Sequence, residues 1–312
     1  MRIAGVAVAF AAGLTVMSAA PTQDPVPAQA PTFRSRTSGV MVDATVRDKN
    51  RRSVTGLKAG DFELTDNGVP QQVNDVSYGK LPIDITVGLD VSHSVTGSLL
   101  DRLRQGVVQL MGDLGKDDRL KLVLFNMRVT RIIDYTRDVK AVERAIRSAT
   151  AGGGTSLVDA MSVSLVSEGP TDRRQLVVFF TDGSDSTSTS SETMMLGVAR
   201  RTRATLAFVV PSNITTVNTV NGTTISVRAG TSNSSYHPLL NALARETGGT
   251  IFPVGGSTNL SSAFRQVLNE FRNAYVLYFG PQGVERQGYH QIEVKVKRDD
   301  AQVLARRGYF SY

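Results

Sequence analysis

The periodicity of apolar residues changes character twice along this chain, and those two changes constrain its fold more than any other feature. From Val40 the pattern alternates strictly, with Val40, Val42, Ala44 and Val46 on one face and Met41, Asp43, Thr45 and Arg47 on the other. A period of two belongs to a strand with one buried face. Asp61 to Thr65, then Asp66-Asn67-Gly68, then Gln72 to Val76 read as a hairpin turning at Asn-Gly. From Pro82 onward, strands alternate with amphipathic helices. Leu99, Leu103, Val107, Leu110, Met111 and Leu114 keep the spacing of one helix face, as do Leu260, Phe264, Val267, Leu268 and Phe271. Strand candidates at Leu120 to Phe125, Leu176 to Phe180, Leu206 to Val210 and Thr250 to Val254 lie between them. Such a βα repeat predicts a mostly parallel sheet covered on both faces. Beyond Phe271 the alternation returns, in Val276 and Tyr278, in Ile292, Val294 and Val296, and from Val303 to Phe310.

The strands at each end are too few for a stable sheet of their own, because an isolated hairpin is marginal in water. They are therefore expected to pair with each other. The predicted architecture is an α/β domain over 81–272, doubly wound around its sheet, inserted between two halves of a small β-sandwich, 33–80 and 273–312. Separate packing of each half on the central domain is the alternative. With 312 residues, 41% hydrophobic and 20% charged, the chain is long and apolar enough to bury a substantial core. The formal net charge of +7 does not by itself indicate nucleic acid, because the lysines and arginines are spread along the chain and mostly alternate with apolar residues. There is no cysteine, which excludes disulfides, zinc-thiolate sites and thiol nucleophiles together.

Arg2, the small and apolar run Ile3 to Val16, and Met17-Ser18-Ala19-Ala20 read as a signal peptide over 1–20. Pro21 disfavours cleavage directly after Ala20, so a cut one or two residues earlier, or an uncleaved anchor, are both compatible with it. The run only approaches the roughly 20 apolar residues that span a bilayer, and export to the periplasm or the cell exterior is the expectation. Four prolines between Pro21 and Pro31 make 21–32 an extended linker.

The chemistry sits where strands end. The apolar strand Ile83 to Leu89 runs out into Asp90-Val91-Ser92-His93-Ser94, a carboxylate and two hydroxyls at alternate positions. Thr155 follows the triple glycine Gly152-Gly153-Gly154, and Asp182 ends the strand Gln175 to Thr181. All are oxygen donors, which hard cations such as Mg²⁺ prefer. Each piece alone has a plain structural account: Asp-x-Ser-x-Ser as a cap for a helix beginning near Gly97, and Asp182-Gly183 as a turn. Their joint occurrence at the carboxyl ends of α/β strands, where ligands bind, favours a metal site. The glycine run lacks the Gly-Lys-Ser/Thr ending of a phosphate loop. Asp185 and the Ser/Thr run to Ser191 read as a polar loop beside the site rather than extra ligands.

Asp90-x-Ser92-x-Ser94, Thr155 and Thr181-Asp182-Gly183 resemble, in order and spacing, the metal-ion-dependent adhesion site of von Willebrand factor type A domains, over about 81–271. The flanks, Val54-Thr55-Gly56-Leu57 with Asp61-Phe62 and Asp66-Asn67-Gly68, then Tyr275-Val276-Leu277, His290 to Val294 and Arg306-Arg307-Gly308-Tyr309, resemble a secreted bacterial family related to type A domains and first described from Acidobacteria. The resemblance implies that Ser92, Ser94 and Thr155 ligate Mg²⁺ directly, with Mn²⁺ or Ca²⁺ as alternatives. It also implies that Asp90 and Asp182 act through water or bind the ion in the closed state, and that a protein partner completes the site with an Asp or Glu. His93 stands where many relatives have glycine, which alters the rim rather than the metal.

The expected function is thus metal-dependent protein binding, in adhesion or complex assembly, without catalysis. No Gly-x-Ser-x-Gly elbow, paired-carboxylate or His-Glu-x-x-His motif is present, and no lysine or arginine lies in the motif loops to stabilise a transferring phosphate. A Mg²⁺-dependent hydrolase and a scaffold with a non-functional metal site are the other readings. His237 reads as a helix-start residue and His290 as a solvent-facing residue on an edge strand. The Thr/Asn/Ser-rich segment Ser212 to Ser235 reads as a hairpin around Asn221-Gly222 near the metal face, placed to select a partner.

Overall fold

The computed structural model describes residues 39–312 except 96, 167–168, 171, 212–214, 221–222, 229–237 and 256–259. The leader, the proline linker, His237 and the Asn221-Gly222 turn lie outside the described residues.

The chain begins with β1 (Val40–Asp48), β2 (Phe62–Asp66), β3 (Val69–Gln71) and β4 (Val73–Tyr78). The central segment then runs β5 (Ile83–Asp90), α1 (Ser98–Gly112), β6 (Arg119–Phe125), β7 (Val129–Thr136), α2 (Val139–Arg147), α3 (Leu157–Val166), β8 (Arg174–Phe180), α4 (Glu192–Arg201), β9 (Thr205–Pro211), β10 (Thr215–Val220), β11 (Thr223–Arg228), α5 (Pro238–Thr247), β12 (Ile251–Val254) and α6 (Leu260–Arg272). Four more strands follow: β13 (Tyr275–Phe279), β14 (Gly288–Val296), β15 (Ala301–Ala305) and β16 (Gly308–Ser311).

The central sheet has the order β12-β9-β8-β5-β6-β7, parallel except for β7 at one edge. Strands β8 and β9 are apolar on both sides, as expected of a sheet covered twice, whereas β5 buries Asp84 and Thr86 on the side opposite Ile85 and Val87. Leu176, Val178 and Phe180 join Ile85, Val87 and Leu89 in one core with α1, α2 and α6. Val177 and Phe179 face the other way, into a second core with α3, α4 and α5. The helix faces read from the sequence are those buried here: Leu103, Val107, Leu110 and Met111 on α1, and Leu260, Phe264, Val267, Leu268 and Phe271 on α6. Strands β10 and β11 pair as an antiparallel two-stranded unit.

The terminal strands pair with each other across the central segment. One antiparallel sheet has the order β15-β1-β13-β4 and a second β16-β14-β2-β3. They share one core, in which Val42, Ala44 and Val46 of β1 meet Leu64 of β2, Leu277 of β13 and Ile292 of β14, and the Phe62 ring meets Tyr275 edge-on at 5.3 Å. The Asn-Gly hairpin forms, with Asn67 and Gly68 at φ 48° and 80°, values that suit a two-residue turn. Its returning strand, however, is Val69–Gln71, not Gln72 to Val76. The tight turn closes the pairing at once, and the chain then crosses to the other sheet, where β4 pairs with β13.

His290 is a correction. It does not face solvent: it is 1% exposed, on a strand flanked by β16 and β2. Its Nδ1 lies 2.9 Å from Asp66 Oδ1, its ring stacks on Tyr309 at 4.7 Å, and the Tyr309 hydroxyl donates to Asp66 Oδ2 at 2.7 Å. A fully buried carboxylate needs such partners. Burial, reinforced by the Asp66 carboxylate, holds the Tyr309 hydroxyl above the ordinary tyrosine value. The folded protein therefore keeps this proton longer than the unfolded chain, so the contribution is complete below about pH 10 and is lost as pH rises further. Tyr309→Phe should lower stability at pH 7 by about 1–3 kcal/mol and remove part of the alkaline fall in urea midpoints. Identical alkaline slopes in the two proteins would refute this assignment.

Candidate metal site

Strand β5 is buried along its whole length and delivers Asp90 to the carboxyl edge of the sheet. Asp90 and Ser92 are each 2% exposed, Thr155 is buried, Asp182 is half-buried and Ser94 is exposed. The Ser92 amide donates to Asp90 Oδ1 at 2.7 Å, and the Ser92 and Ser94 hydroxyls lie 3.1 Å apart. Helix α1 starts after Gly97 with no side-chain cap hydrogen bond, so the pentad's polar groups are not spent on capping it.

Three loops are tied into one face by backbone hydrogen bonds. Gly152 N donates to Val91 O at 2.9 Å and His93 N to Gly153 O at 3.0 Å, which joins the pentad to the glycine loop. The amides of Ser186 and Thr187 donate to Thr155 O at 2.8 and 3.1 Å, and Thr155 N donates to Ser186 Oγ at 2.9 Å, which joins the glycine loop to the loop after Asp182. A Cβ on Gly154 would lie 2.9 Å from Ser186 Oγ and from a Thr187 methyl, so this approach requires glycine. Asp182 itself forms the simple turn, accepting from Ser184 N at 2.8 Å through Oδ1. The Thr155 hydroxyl makes no hydrogen bond to the pentad among the described residues.

Burial pushes the Asp90 carboxyl above its ordinary value; hydrogen bonds from Ser92 oppose this and the nearby Asp182 charge adds to it. Among the described residues no lysine or arginine pairs with either carboxylate, nor does any group of three or more His, Asp or Glu assemble to hold an ion. What remains is two neighbouring carboxylates, two serine hydroxyls in contact and a threonine on an adjoining, hydrogen-bonded loop. A hard divalent cation fits this donor set and would neutralise a pair of carboxylates that has no basic partner among the described residues.

Asp185 and the residues after it serve α3. Asp185 Oδ2 accepts from Val158 N at 2.8 Å and from Ser188 Oγ at 2.6 Å, and the Asp159 carboxylate accepts from the amides of Thr189 and Ser190, each at 2.9 Å. Against burial, those bonds hold Asp159 below the usual carboxylate range. Asn126 is a residue that sequence reasoning missed. Its Nδ2 donates to Gly152 O at 2.9 Å and its carbonyl accepts from Ser156 N at 2.6 Å, which clamps the β6–β7 turn to the glycine loop. Only its place, directly after a strand, could have signalled this.

Residues 85–184 match the family model of the von Willebrand factor type A domain. The chain carries a type A domain. That domain contains the pentad, Thr155 and Asp182. The chain is 27% identical over 122 residues to an uncharacterized protein of Synechocystis sp., covering 38% of this chain and 29% of that protein. It is also 27% identical over 123 residues to the inter-alpha-trypsin inhibitor heavy chain H4 of Sus scrofa, covering 38% of this chain and 13% of that protein. The match thus spans less than a third of the length of either curated relative. Among solved structures, it is similar to the mussel byssus proximal thread matrix protein 1 with zinc in its MIDAS motif, at 14% identity and a TM-score of 0.45, covering 65% of this chain and 48% of that one. Among the described residues, no helix is long and apolar enough to cross a membrane.

Proposed function

We propose that the type A domain is a metal-dependent receptor for an acidic side chain of a protein partner. The observation that supports this reading is that Asp90, Ser92, Ser94, Thr155 and Asp182 lie on three cross-tied loops at the carboxyl edge of the sheet, with no cation paired to either carboxylate among the described residues. In this reading the hydroxyls of Ser92, Ser94 and Thr155 hold Mg²⁺, and Asp90 and Asp182 orient its water. Because neutral hydroxyls leave most of the ion's charge in place, a bound Mg²⁺ supplies an electrophilic seat for a carboxylate from outside. The flanking sheets act as spacer and support, and the leader places the protein in the periplasm or outside the cell. The unit β10–β11 follows the carboxyl end of β9, on the side of the sheet where partners bind, and is assigned to partner selection.

Calorimetric titration with Mg²⁺ and Mn²⁺ in a buffer free of carboxylates tests the site. The wild type should bind one ion, and Ser92→Ala and Thr155→Ala should each weaken binding by about tenfold or more, the loss expected for a ligand (~1.4 kcal/mol). Binding untouched by both substitutions would move the ion elsewhere. No binding, with or without an added acidic peptide, would favour a scaffold without a working metal.

A further inference from the structure

The β6–β7 turn carries two exposed side chains on the rim of this face, Met127 and Arg128. Met127 is 50% exposed, one of the few large apolar side chains the described surface leaves open. The turn is held on every side. Asn126 N donates to Arg128 O at 3.0 Å, and the Asn126 side chain and carbonyl are both spent on the glycine loop. A Cβ at Gly153, whose φ is +80°, would lie 3.3 Å from the Met127 sulfur, and the carbonyl of that same glycine takes the His93 amide between Ser92 and Ser94. Met127, Gly153 and His93 therefore form one continuous strip along the edge of the pentad. Arg128 forms no ion pair among the described residues.

An apolar side chain held half in the open by three hydrogen bonds around its turn contributes little to folding. It is placed, instead, to be covered together with the metal face. A flexible thioether adapts to apolar partners of different shape, and Arg128 adds positive charge on the side where an anionic segment arrives. We propose that Met127 is a specificity residue, and that the partner is an acidic protein segment with an aliphatic residue directly next to the metal-seeking Asp or Glu. The aliphatic side chain packs on Met127 while the acid reaches the ion. This inference rests on the reading of the site as a metal-dependent acid receptor.

The test uses the full chain with Mg²⁺ and three glycine-serine peptides of equal length, each with a single glutamate: one with leucine before it, one with leucine after it, and one with neither. Burying most of one leucine side chain is worth about tenfold in affinity. One leucine peptide should therefore bind about tenfold more tightly than the plain peptide. Met127→Ser should abolish that preference, and Met127→Leu should keep it. If the wild type binds Mg²⁺ and all three peptides with equal affinity, the role of Met127 is overturned while the acid-receptor reading stands. If peptide binding ignores EDTA, or no Mg²⁺ binds, the receptor reading falls and the specificity proposal with it.

Discussion

Asp90→Asn is expected to make the metal-free protein more stable than the wild type and to remove its response to Mg²⁺. The two effects share one cause. The Asp90 carboxylate is 2% exposed, near a second carboxylate and without a paired base among the described residues. A buried negative charge in that setting costs stability unless a cation offsets it. Asparagine keeps an oxygen that can accept the Ser92 amide, so the loop retains its hydrogen bond while the repulsion disappears. In EDTA at pH 7 the gain should be about 1–3 kcal/mol, read from urea midpoints. The pH dependence has a definite sign. Asp90 holds its proton more tightly when folded than when unfolded, so its contribution is favourable below about pH 4 and is lost as pH rises through the folded value. The advantage of Asp90→Asn should therefore be small at pH 4 and grow toward neutrality. In excess Mg²⁺ the order should reverse, because only the wild type gains from binding. A metal-free Asp90→Asn protein less stable than wild type at pH 7 would mean that the carboxylate is compensated within the protein, and the argument for a cation would lose its base.

Much of this site was legible because its parts lie at the ends of strands with unmistakable composition. β5 is buried throughout and ends at Asp90, and β8 is apolar from Leu176 to Phe180 with Asp182 two residues beyond its end; the rule that ligands gather at the carboxyl ends of α/β strands does the rest. What escaped depends on neighbours far apart in sequence. Asn126 and Met127 reach the site only because β6 lies beside β5 in the sheet, an order that no local pattern states. Strand β7 went unseen because its pairing with β6 shifts register twice, between Leu120 and Leu122 and between Leu124 and Phe125, and such irregularities break the alternation by which a strand is recognised. His290 was readable in phase, since it alternates with the buried Ile292 and Val294. Its polarity argued for solvent, and the Asp66 and Tyr309 partners that permit its burial come from β2 and β16. Similarly, the Asn-Gly turn was local and visible, whereas the crossing of β4 to the other sheet was not.

The same distinction between local and distant partners sets the largest stability effect expected here. Arg174 opens β8, is 1% exposed, and donates through Nε to Asp43 of β1 at 2.7 Å while its guanidinium lies 3.9 Å from the centre of the Phe271 ring on α6. One of its terminal nitrogens, Nη2, is buried without a partner, so the charge depends on Asp43 and the ring. The pair joins the flanking sheet to the type A domain at the end of β8 opposite Asp182. Arg174→Ala removes the cation, strands a mostly buried carboxylate and leaves a void against Phe271. The cost should be about 3–5 kcal/mol, the range for breaking a buried pair on one side. Replacing both partners by Arg174→Met with Asp43→Leu should recover most of it, since no charge is then left buried alone. The Mg²⁺ affinity of Arg174→Ala should be unchanged, because β8 is also held by its ladders to β5 and β9 up to Phe180. Urea unfolding of the two single variants and the double variant measures the coupling directly. A loss below about 1 kcal/mol in Arg174→Ala would show that Asp43 reaches water as a surface carboxylate does, and that the two parts of the chain are joined by their apolar contacts rather than by this pair.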